Sequence, residues 1–233
     1  MEAEAAPIVK RLGLHFDDPR IIPGPSTAQS YSGTAHDLTV HLVVNGKDTR
    51  FEVDNVGTPA ASLTTYLAAQ AFKPDLVISL GTAGGFKTKG AAIGSVFVGT
   101  STVNHDRRIP LPGFDKYGLW HCDCIPTPNL QKALKLQAGV VSSGNSLDWV
   151  KEDWDIMQQN GAAVKEMEAA GIAWALHYFD IPFFCLKSIT DIVDGDRPPQ
   201  EEFLENLGAA AQALQDTVAP VLEFISGKSV EAL

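Results

Sequence analysis

The sequence predicts an α/β fold, in which helices cover a sheet, within a single domain that spans residues 1–233. Short apolar runs, such as residues 76–80 and 181–190, have the length of buried strands. Stretches with helical periodicity alternate with these runs, which is typical of an α/β layer architecture. The composition, 45% apolar and 20% charged residues, is that of an ordinary globular domain, and neither an internal repeat nor a low-complexity tract occurs.

The first third of the sequence predicts a hairpin, a helix and a strand. Two apolar runs, "LTVHLVV" and "TRFEV", flank Asn45-Gly46, and an Asn-Gly step between such runs favours a hairpin turn. Thr58-Pro59 then predicts a helix start, with a capping residue before a proline in the first turn. This helix is expected to end before Lys73, and the strand at 76–80 follows.

The remaining two thirds continue the alternation. A strand is predicted at 95–103, and the following segment "NHDRRIPLPGFDKYG" is a long loop of the kind that carries function or an interface. Further along, the pattern predicts a helix from Thr127-Pro128 to about residue 136, a short strand in "AGVVSS", two helical stretches around "AAVKEMEAAG" within 153–178, the strand at 181–190, and an amphipathic helix at 199–225 with a kink at Pro220.

The glycines of "GTAGGF", residues 81–86, are predicted to form a ligand-contacting loop after the strand at 76–80. Their spacing fits neither the dinucleotide fingerprint nor the P-loop. The sequence that follows is β-branched and predicts another strand, whereas both nucleotide sites need a helix there to face the phosphate. A glycine-rich turn without a ligand is the alternative.

Charge and cysteine content exclude several classes of function. The net charge is −10 and the pI about 5.0, which argues against binding to nucleic acid or to an anionic membrane surface. No apolar segment reaches the roughly 18 residues of a membrane span, and the N-terminus lacks a secretory h-region. Three cysteines indicate a reducing compartment, so we expect a cytoplasmic protein. The cluster "HCDC" lacks zinc-site spacing, and no metal is expected.

Polar and acidic residues follow several of the predicted strands, at 81–85, 143–148, 166–168 and 190–194. Ligands of α/β sheets bind at the carboxyl ends of the strands. These segments are therefore expected to line one pocket, in which two or more carboxylates act catalytically.

Six motifs in order resemble the nucleoside phosphorylase and nucleosidase family, over nearly the whole chain. They are "MEAEA", "GTAGGF", "HDRRIP", "SSGNSLD", "KEMEAAG" and "KSITDIVDGD". The resemblance implies a three-layer α/β/α sandwich with a mixed, partly barrel-like sheet. It also implies cofactor-free hydrolysis of methylthioadenosine to adenine and methylthioribose, in methionine salvage. A phosphorylase and a non-catalytic storage protein that binds nucleosides are the alternatives.

The resemblance implies two catalytic carboxylates, as expected for a reaction through an oxocarbenium-like transition state. Asp191 matches the aspartate that protonates nitrogen 7 of the leaving purine, and Glu4 matches the glutamate that activates water. In the family a buried strand precedes the motif that contains Glu4. No such strand stands before Met1 in this sequence, so the first strand is expected to be missing.

The substrate-binding residues are also implied by the resemblance. Met167 and Glu168 correspond to the pair that contacts the ribose, and a carboxylate suits a diol because each oxygen accepts a hydrogen bond. Leu147 and Asp148 lie where the family contacts the adenine, and Asp148 acts there through its backbone. On sequence alone, Met167 and Leu147 fit the core equally well, and Asp191 and Glu168 fit helix termini.

Water rather than phosphate is the expected nucleophile. The family's phosphorylases carry a phosphate-binding arginine two positions before the first glycine of "GTAGGF", and Ser79 stands there in this sequence. Thr82 is expected to line the ribose and water site. Lys187 lies where many bacterial nucleosidases have an arginine near the water.

A homodimer is the expected assembly. In relatives, the loop at 105–117 reaches the neighbouring subunit's pocket and covers the 5′ tail of the substrate. Leu111 and Phe114 are therefore the candidate tail contacts, with ordinary interface packing as their alternative. The sequence leaves open whether S-adenosylhomocysteine is also a substrate.

Overall fold

The computed structural model describes residues 1–24 and 26–233, and strands and helices alternate along most of them. The helices are α1 (Glu2–Leu12), α2 (Thr58–Phe72), α3 (Phe114–Leu119), α4 (Pro128–Leu134), α5 (Lys151–Gln159), α6 (Ala169–His177) and α7 (Pro199–Ile225). The strands are β1 (His15–Phe16), β2 (Gln29–Ala35), β3 (Leu38–Val44), β4 (Val77–Gly85), β5 (Val96–Asn104), β6 (Cys122–Asp123), β7 (Gln137–Ser143), β8 (Ala162–Glu166) and β9 (Phe183–Ile192).

Five strands close into a ring. The pairings run from β5 to β7, β8, β4 and β9, and β9 pairs back with β5. The β4–β9, β5–β7 and β7–β8 pairs are parallel, whereas β4–β8 and β5–β9 are antiparallel. The predicted α/β class with a mixed, barrel-like sheet is therefore confirmed.

Strand β9 lies at the centre of the core. Its residues Phe184, Leu186 and Ile189 are fully buried, and Leu214 and Val221 of α7 belong to the same apolar cluster. A strand buried on both faces reads as a continuous apolar run rather than an alternating one. This burial explains why the sequence predicted β9 well and why its acidic end can lie in a desolvated site.

The predicted Asn45-Gly46 hairpin is wrong. Strand β3 pairs instead with the preceding strand β2, through a turn at His36 and Asp37, both of which have positive φ. Residues 49–53 form exposed turns rather than a strand. The chain reverses after Asn45-Gly46, since Lys47 pairs with Asp54 and the Asp48 N–H bonds the Val53 carbonyl at 2.9 Å. Glycine is required at position 46 because an added Cβ would lie 1.7 Å from the Thr27 carbonyl oxygen.

Three further expectations need correction. The glycines of "GTAGG" continue strand β4 instead of forming a loop after it. Part of "AAVKEMEAAG" forms a buried strand, β8, between the two predicted helical stretches. The loop before Trp120 contains the short helix α3. The predicted extent of helix α7 is confirmed, and the kink at Pro220 within it stays a prediction. Among the described residues, no helix combines the length and apolar character needed to cross a membrane.

Candidate active site

One cavity of about 1100 Å³ contains most of the residues that the sequence singled out. Glu4 reaches it from α1, Thr82 from β4, Glu168 from the start of α6 and Asp191 from β9. The ring brings these elements together because β4 and β9 are parallel neighbours, whose carboxyl ends lie at the same edge. Met167, Leu147, Lys165 and Glu166 also line the cavity, whereas Lys187 is not among its lining residues.

Asp191 has the properties of a general acid. Its side chain is 5% exposed, and burial raises its pKa above the ordinary value. A hydrogen bond from the Thr190 hydroxyl to Oδ1 (2.7 Å) and the charge of Lys165 act in the opposite direction without cancelling the effect of burial. Gly84 leaves room for the carboxylate, since a Cβ at that position would lie 2.6 Å from Oδ2. A carboxyl that keeps its proton can give it to a leaving group.

Glu4 has the opposite environment, although it is also buried. Burial acts to raise its pKa, but the positive charge of the Met1 amino group and two bonds from Thr82 outweigh burial and lower the pKa. Thr82 donates its amide N–H (2.6 Å) and its hydroxyl (2.7 Å) to Oε1, and the Met1 ammonium lies 2.5 Å from Oε2. An ionised carboxylate in the cavity is suited to accept a proton from water.

Glu168 is held at the start of α6 and faces the same cavity. Its Oε1 accepts the N–H of Gly57 at 2.8 Å, while burial and the neighbouring charge of Glu166 raise its pKa. Gly57 has φ of 94°, and the next residue, Thr58, donates its N–H (2.9 Å) and its hydroxyl (3.0 Å) to Oδ1 of Asn145. The free oxygen of Glu168 remains available to a sugar hydroxyl.

Glu166 and Lys187 form a buried ion pair beneath the site. Lys187 Nζ lies 3.0 Å from Glu166 Oε2 and donates to Ser79 Oγ at 3.1 Å. Glu166 also accepts the N–H groups of Glu168 and Ala169, so it fixes the first turn of α6. Burial opposes both charges, but their attraction lowers the pKa of Glu166 and raises that of Lys187. Lys187 was predicted to lie near the attacking water. In the structure its ammonium contacts Glu166 and Ser79, so it supports the site through these residues.

Lys165 is a second functional cation that the sequence reading missed. Its ammonium donates to the carbonyls of Ser146 (2.8 Å) and Leu147 (2.9 Å), and thereby fixes the segment that presents Leu147 to the cavity. Burial lowers the pKa of Lys165, although the charge of Asp191 opposes that shift. The sequence gave little indication of this role, because the partners of Lys165 lie on a loop nearly twenty positions before it in the chain.

The remaining predicted residues are placed differently. Met167 lines the cavity, and Leu147 lines it while 43% exposed. The side chain of Asp148 is exposed and is not among the lining residues. Leu111 and Phe114 are 58% and 52% exposed and lie outside the cavity of this chain, so their contact with a second subunit stays a prediction.

The cavity holds three carboxyl groups in different surroundings. A desolvated carboxyl with a raised pKa, a carboxylate with a lowered pKa and a third carboxylate for hydroxyl groups share one cavity, which suits acid–base cleavage at a sugar. Among the described residues, no group of histidine, cysteine, aspartate and glutamate side chains is arranged to hold a metal ion.

Comparison with known proteins assigns this chain to a family. The family model described as the phosphorylase superfamily matches residues 1–223. A curated relative from Arabidopsis thaliana, a 5′-methylthioadenosine/S-adenosylhomocysteine nucleosidase, is 44% identical over all of this chain and 92% of its own length. A second, a 5′-methylthioadenosine nucleosidase from the same plant, is 43% identical over all of this chain and 87% of its own. The chain belongs to the phosphorylase superfamily.

A solved structure agrees with this assignment. The apo form of Arabidopsis thaliana 5′-methylthioadenosine nucleosidase superposes with a TM-score of 0.98 at 43% identity, over all of this chain and 96% of that one. The resemblance that the six motifs indicated is therefore confirmed, for the family and for the fold.

Proposed function

We propose that this protein is a hydrolase that cleaves the N-ribosidic bond of 5′-methylthioadenosine, giving adenine and 5-methylthioribose. The observation that carries the proposal is that the carboxyl groups of Asp191 and Glu4 line one cavity in different surroundings, since Asp191 is buried and Glu4 accepts the N–H and the hydroxyl of Thr82. These surroundings raise the pKa of Asp191 and lower that of Glu4. The substrate is the one that the Arabidopsis relatives are named for.

In the proposed reaction, Asp191 gives its proton to nitrogen 7 of the purine as the bond to the ribose breaks. The electron pair of that bond leaves with the adenine. Water adds to the sugar carbon and passes a proton to Glu4, so that one water is consumed. Glu4 then releases this proton to solvent and Asp191 takes one up, which restores the starting state. Glu168 accepts hydrogen bonds from the ribose hydroxyls, with Met167 packed against the ring.

A phosphorylase is the second candidate. Ser79 supports hydrolysis over phosphorolysis because its hydroxyl bonds Lys187, and Lys187 is in turn neutralised by Glu166. A phosphate dianion at this position would need an unpaired cation or a bidentate arginine. Water therefore remains the nucleophile that the environment suits.

Adenine release from methylthioadenosine in phosphate-free buffer, and again with added phosphate, tests the reaction. We expect release without phosphate, no stimulation by phosphate, and free methylthioribose as the sugar product. A sugar 1-phosphate would establish the phosphorylase instead, and binding of the nucleoside without turnover would indicate a non-catalytic binder. S-adenosylhomocysteine in the same assay measures whether the cavity admits the longer 5′ tail.

The assembly and location are further parts of this proposal. A homodimer is supported by the exposed apolar residues Leu111, Phe114 and Tyr117 on one loop, where a partner subunit would cover them. Light scattering of the purified chain should give twice the monomer mass. A cytoplasmic location is supported by three unpaired cysteines, two of them buried, because free thiols are typical of a reducing compartment. A role in methionine salvage follows from the proposed substrate. Localisation of a tagged chain tests it.

A further inference from the structure

The carboxylate that is proposed to bind the ribose is held by a segment far away in the chain. Glu168 Oε1 accepts the N–H of Gly57, which lies 111 positions earlier, at 2.8 Å. Among residues 1–24 and 26–233, no side chain donates a hydrogen bond to Glu168 or forms an ion pair with it. The direction of its second oxygen, Oε2, therefore depends on the position of the Gly57 peptide group.

Asn145 fixes the position of that peptide group. Its Oδ1 accepts the N–H (2.9 Å) and the hydroxyl (3.0 Å) of Thr58, the first residue of α2. The first N–H groups of a helix need partners, and Gly57, which precedes α2, has no side chain to supply one. Asn145 supplies it from 87 positions away. Gly57 also leaves room for this contact, because a Cβ there would lie 2.8 Å from Asn145 Oδ1.

Asp106 orients the Asn145 side chain. Its Oδ2 accepts the backbone N–H of Asn145 and, at 3.2 Å, the side-chain Nδ2. A carboxylate only accepts hydrogen bonds, so the amide must turn its NH₂ group toward Asp106 and its oxygen toward Thr58. The reversed amide would place an oxygen against the carboxylate and NH₂ against the Thr58 N–H. Asp106 therefore selects the orientation in which Asn145 can accept from Thr58.

These two residues lie side by side because the strands before them are neighbours. Strands β5 and β7 are parallel, and their last residues, Asn104 and Ser143, are paired. Beyond this pair the His105 N–H donates to the Ser143 carbonyl at 2.9 Å. The buried His105 ring fills the space beside Gly144, where a Cβ would lie 2.1 Å from Nε2. The two loops therefore leave the sheet in fixed positions relative to each other.

The residues of this network lie behind Glu168 as seen from the cavity. Asp106, Asn145, Gly57 and Thr58 are not among the lining residues, whereas Glu168 is. Asn145 is exposed and Asp106 half-buried, so neither belongs to the apolar core. The hydrogen bonds that begin at Asp106 and end at Glu168 are therefore the route by which these residues can act on a bound nucleoside.

We propose that Asn145, oriented by Asp106, is a positioning residue for Glu168. Through Thr58 and Gly57 it holds Oε1 of Glu168, so that Oε2 is directed at the ribose hydroxyls. The inference rests on the proposed function, because that function assigns Glu168 to the ribose. It also connects the start of the loop at 105–117 to the sugar site through a series of hydrogen bonds.

Binding of two nucleosides tests this role, in an Asp191→Asn background that suppresses turnover. Calorimetry measures the Kd of 5′-methylthioadenosine and of its 2′,3′-dideoxy analogue, which keeps the adenine and the 5′ tail but lacks both hydroxyls. Asn145→Ala should weaken binding of methylthioadenosine about tenfold and leave that of the analogue within about twofold. Asn129→Ala is the matched control, since Asn129 is exposed and bonds the Ala232 carbonyl, and it should change neither Kd.

An exchange of the two side chains tests whether the hydrogen bonds carry the effect. Asn145→Asp alone brings two carboxylates together and should weaken binding of methylthioadenosine. The addition of Asp106→Asn restores a donor beside an acceptor in reversed order, and should recover the affinity to within about threefold. A general loss of stability would instead weaken the binding of both nucleosides equally.

Equal weakening for the two nucleosides in Asn145→Ala, or unchanged binding of both, would overturn the positioning role. The same holds if the exchanged pair is folded, as judged by its thermal melt, and yet binds methylthioadenosine no better than Asn145→Asp. Adenine release by the unchanged chain is measured separately. A chain that shows the expected difference between the nucleosides but releases no adenine would refute the proposed hydrolase and support the positioning role.

Discussion

Lys187 and Glu166 form an ion pair with 3.0 Å between Nζ and Oε2, and their side chains are 2% and 1% exposed. Neither charge can turn to water, so the loss of one leaves the other unpaired in the interior. We expect Glu166→Gln to lower the free energy of unfolding by about 3–5 kcal/mol, as measured by urea titration. A double variant with methionine at both positions should recover most of the loss. A cost below about 1 kcal/mol for the single change would contradict this account.

Asp191→Asn should reduce turnover about 10²–10⁴-fold while the melting temperature changes little, because an amide cannot supply the proton. Asp194→Asn is the matched control. Asp194 lies three residues further along the chain and accepts the backbone N–H groups of Lys87 (2.6 Å) and Thr88 (3.0 Å), so it stabilises a turn. Adenine release should persist in the control. Comparable losses in both variants would argue against Asp191 as the acid.

Removal of the Lys165 charge should change the pH profile. Lys165 favours the ionised form of Asp191. In Lys165→Met the pKa of Asp191 should therefore rise further, and the descending alkaline limb of kcat/KM should move to higher pH. KM should also rise because the loop carbonyls of Ser146 and Leu147 lose their donor. The exposed Lys132→Met is the control. If the alkaline limb of kcat/KM stays at the same pH in Lys165→Met, that limb does not report the deprotonation of Asp191.

Glu4 should contribute stability that depends on pH. Its pKa is lowered in the folded chain from an ordinary value of 4.5, so its stabilising contribution is complete above that value and is lost as pH falls through the folded pKa. The difference in unfolding free energy between the unchanged chain and Glu4→Gln should be largest near neutral pH and shrink below about pH 4.5. Urea titrations across this range measure it. A difference that grows on acidification would show the wrong sign for an ionised Glu4.

Two glycines should respond in opposite ways to alanine. At Gly84 a Cβ would lie 2.6 Å from Asp191 Oδ2 and 2.7 Å from Val193 Cγ2, so Gly84→Ala should displace the acid and lower activity. At Gly208, inside α7, a Cβ meets nothing within 4 Å. Gly208→Ala should therefore raise the unfolding free energy by about 0.5–1 kcal/mol and leave turnover unchanged. Thermal melts and adenine release distinguish the two.

The sequence predicts the strands that are buried along their whole length and the helices that begin at a recognisable capping sequence. Strands β4 and β9 are apolar runs because the core covers them, and α2 and α4 begin at Thr-Pro steps. Strand β8 was missed because its last two residues, Lys165 and Glu166, are charged and yet buried. Strand β2, "QSYSGTA", is polar and gave no pattern. Burial of charge depends on distant partners, which local periodicity does not encode.

Some residues of the candidate site could likewise be predicted from the sequence, and others could not. The positions of 166–168 and 190–194 after predicted strands already indicated that Glu168 and Asp191 line a pocket. The individual roles of these two residues and of Glu4 were predicted only from the ordered motifs, since each fits an ordinary cap or surface residue on local grounds. Glu166 and Lys165 lie within the motif "KEMEAAG", but no role was predicted for either, because each acts by fixing another residue, Glu168 or Leu147. The glycines of β4 were recognised as unusual, but the sequence did not show that Gly84 leaves room for the carboxylate of Asp191.

Closure of the five-strand ring has a consequence for the order of events during synthesis. Strand β9 pairs with both β4 and β5, so the ring stays open on the ribosome until the last strand has emerged. The bond between Gly57 and Glu168 spans 111 positions, and such distant contacts form late. Until then the backbone edges of β4 and β5 that pair with β9 stay unpaired, and their apolar side chains stay uncovered. We expect the nascent chain to depend on chaperones over this interval, and slow translation before β9 to increase aggregation.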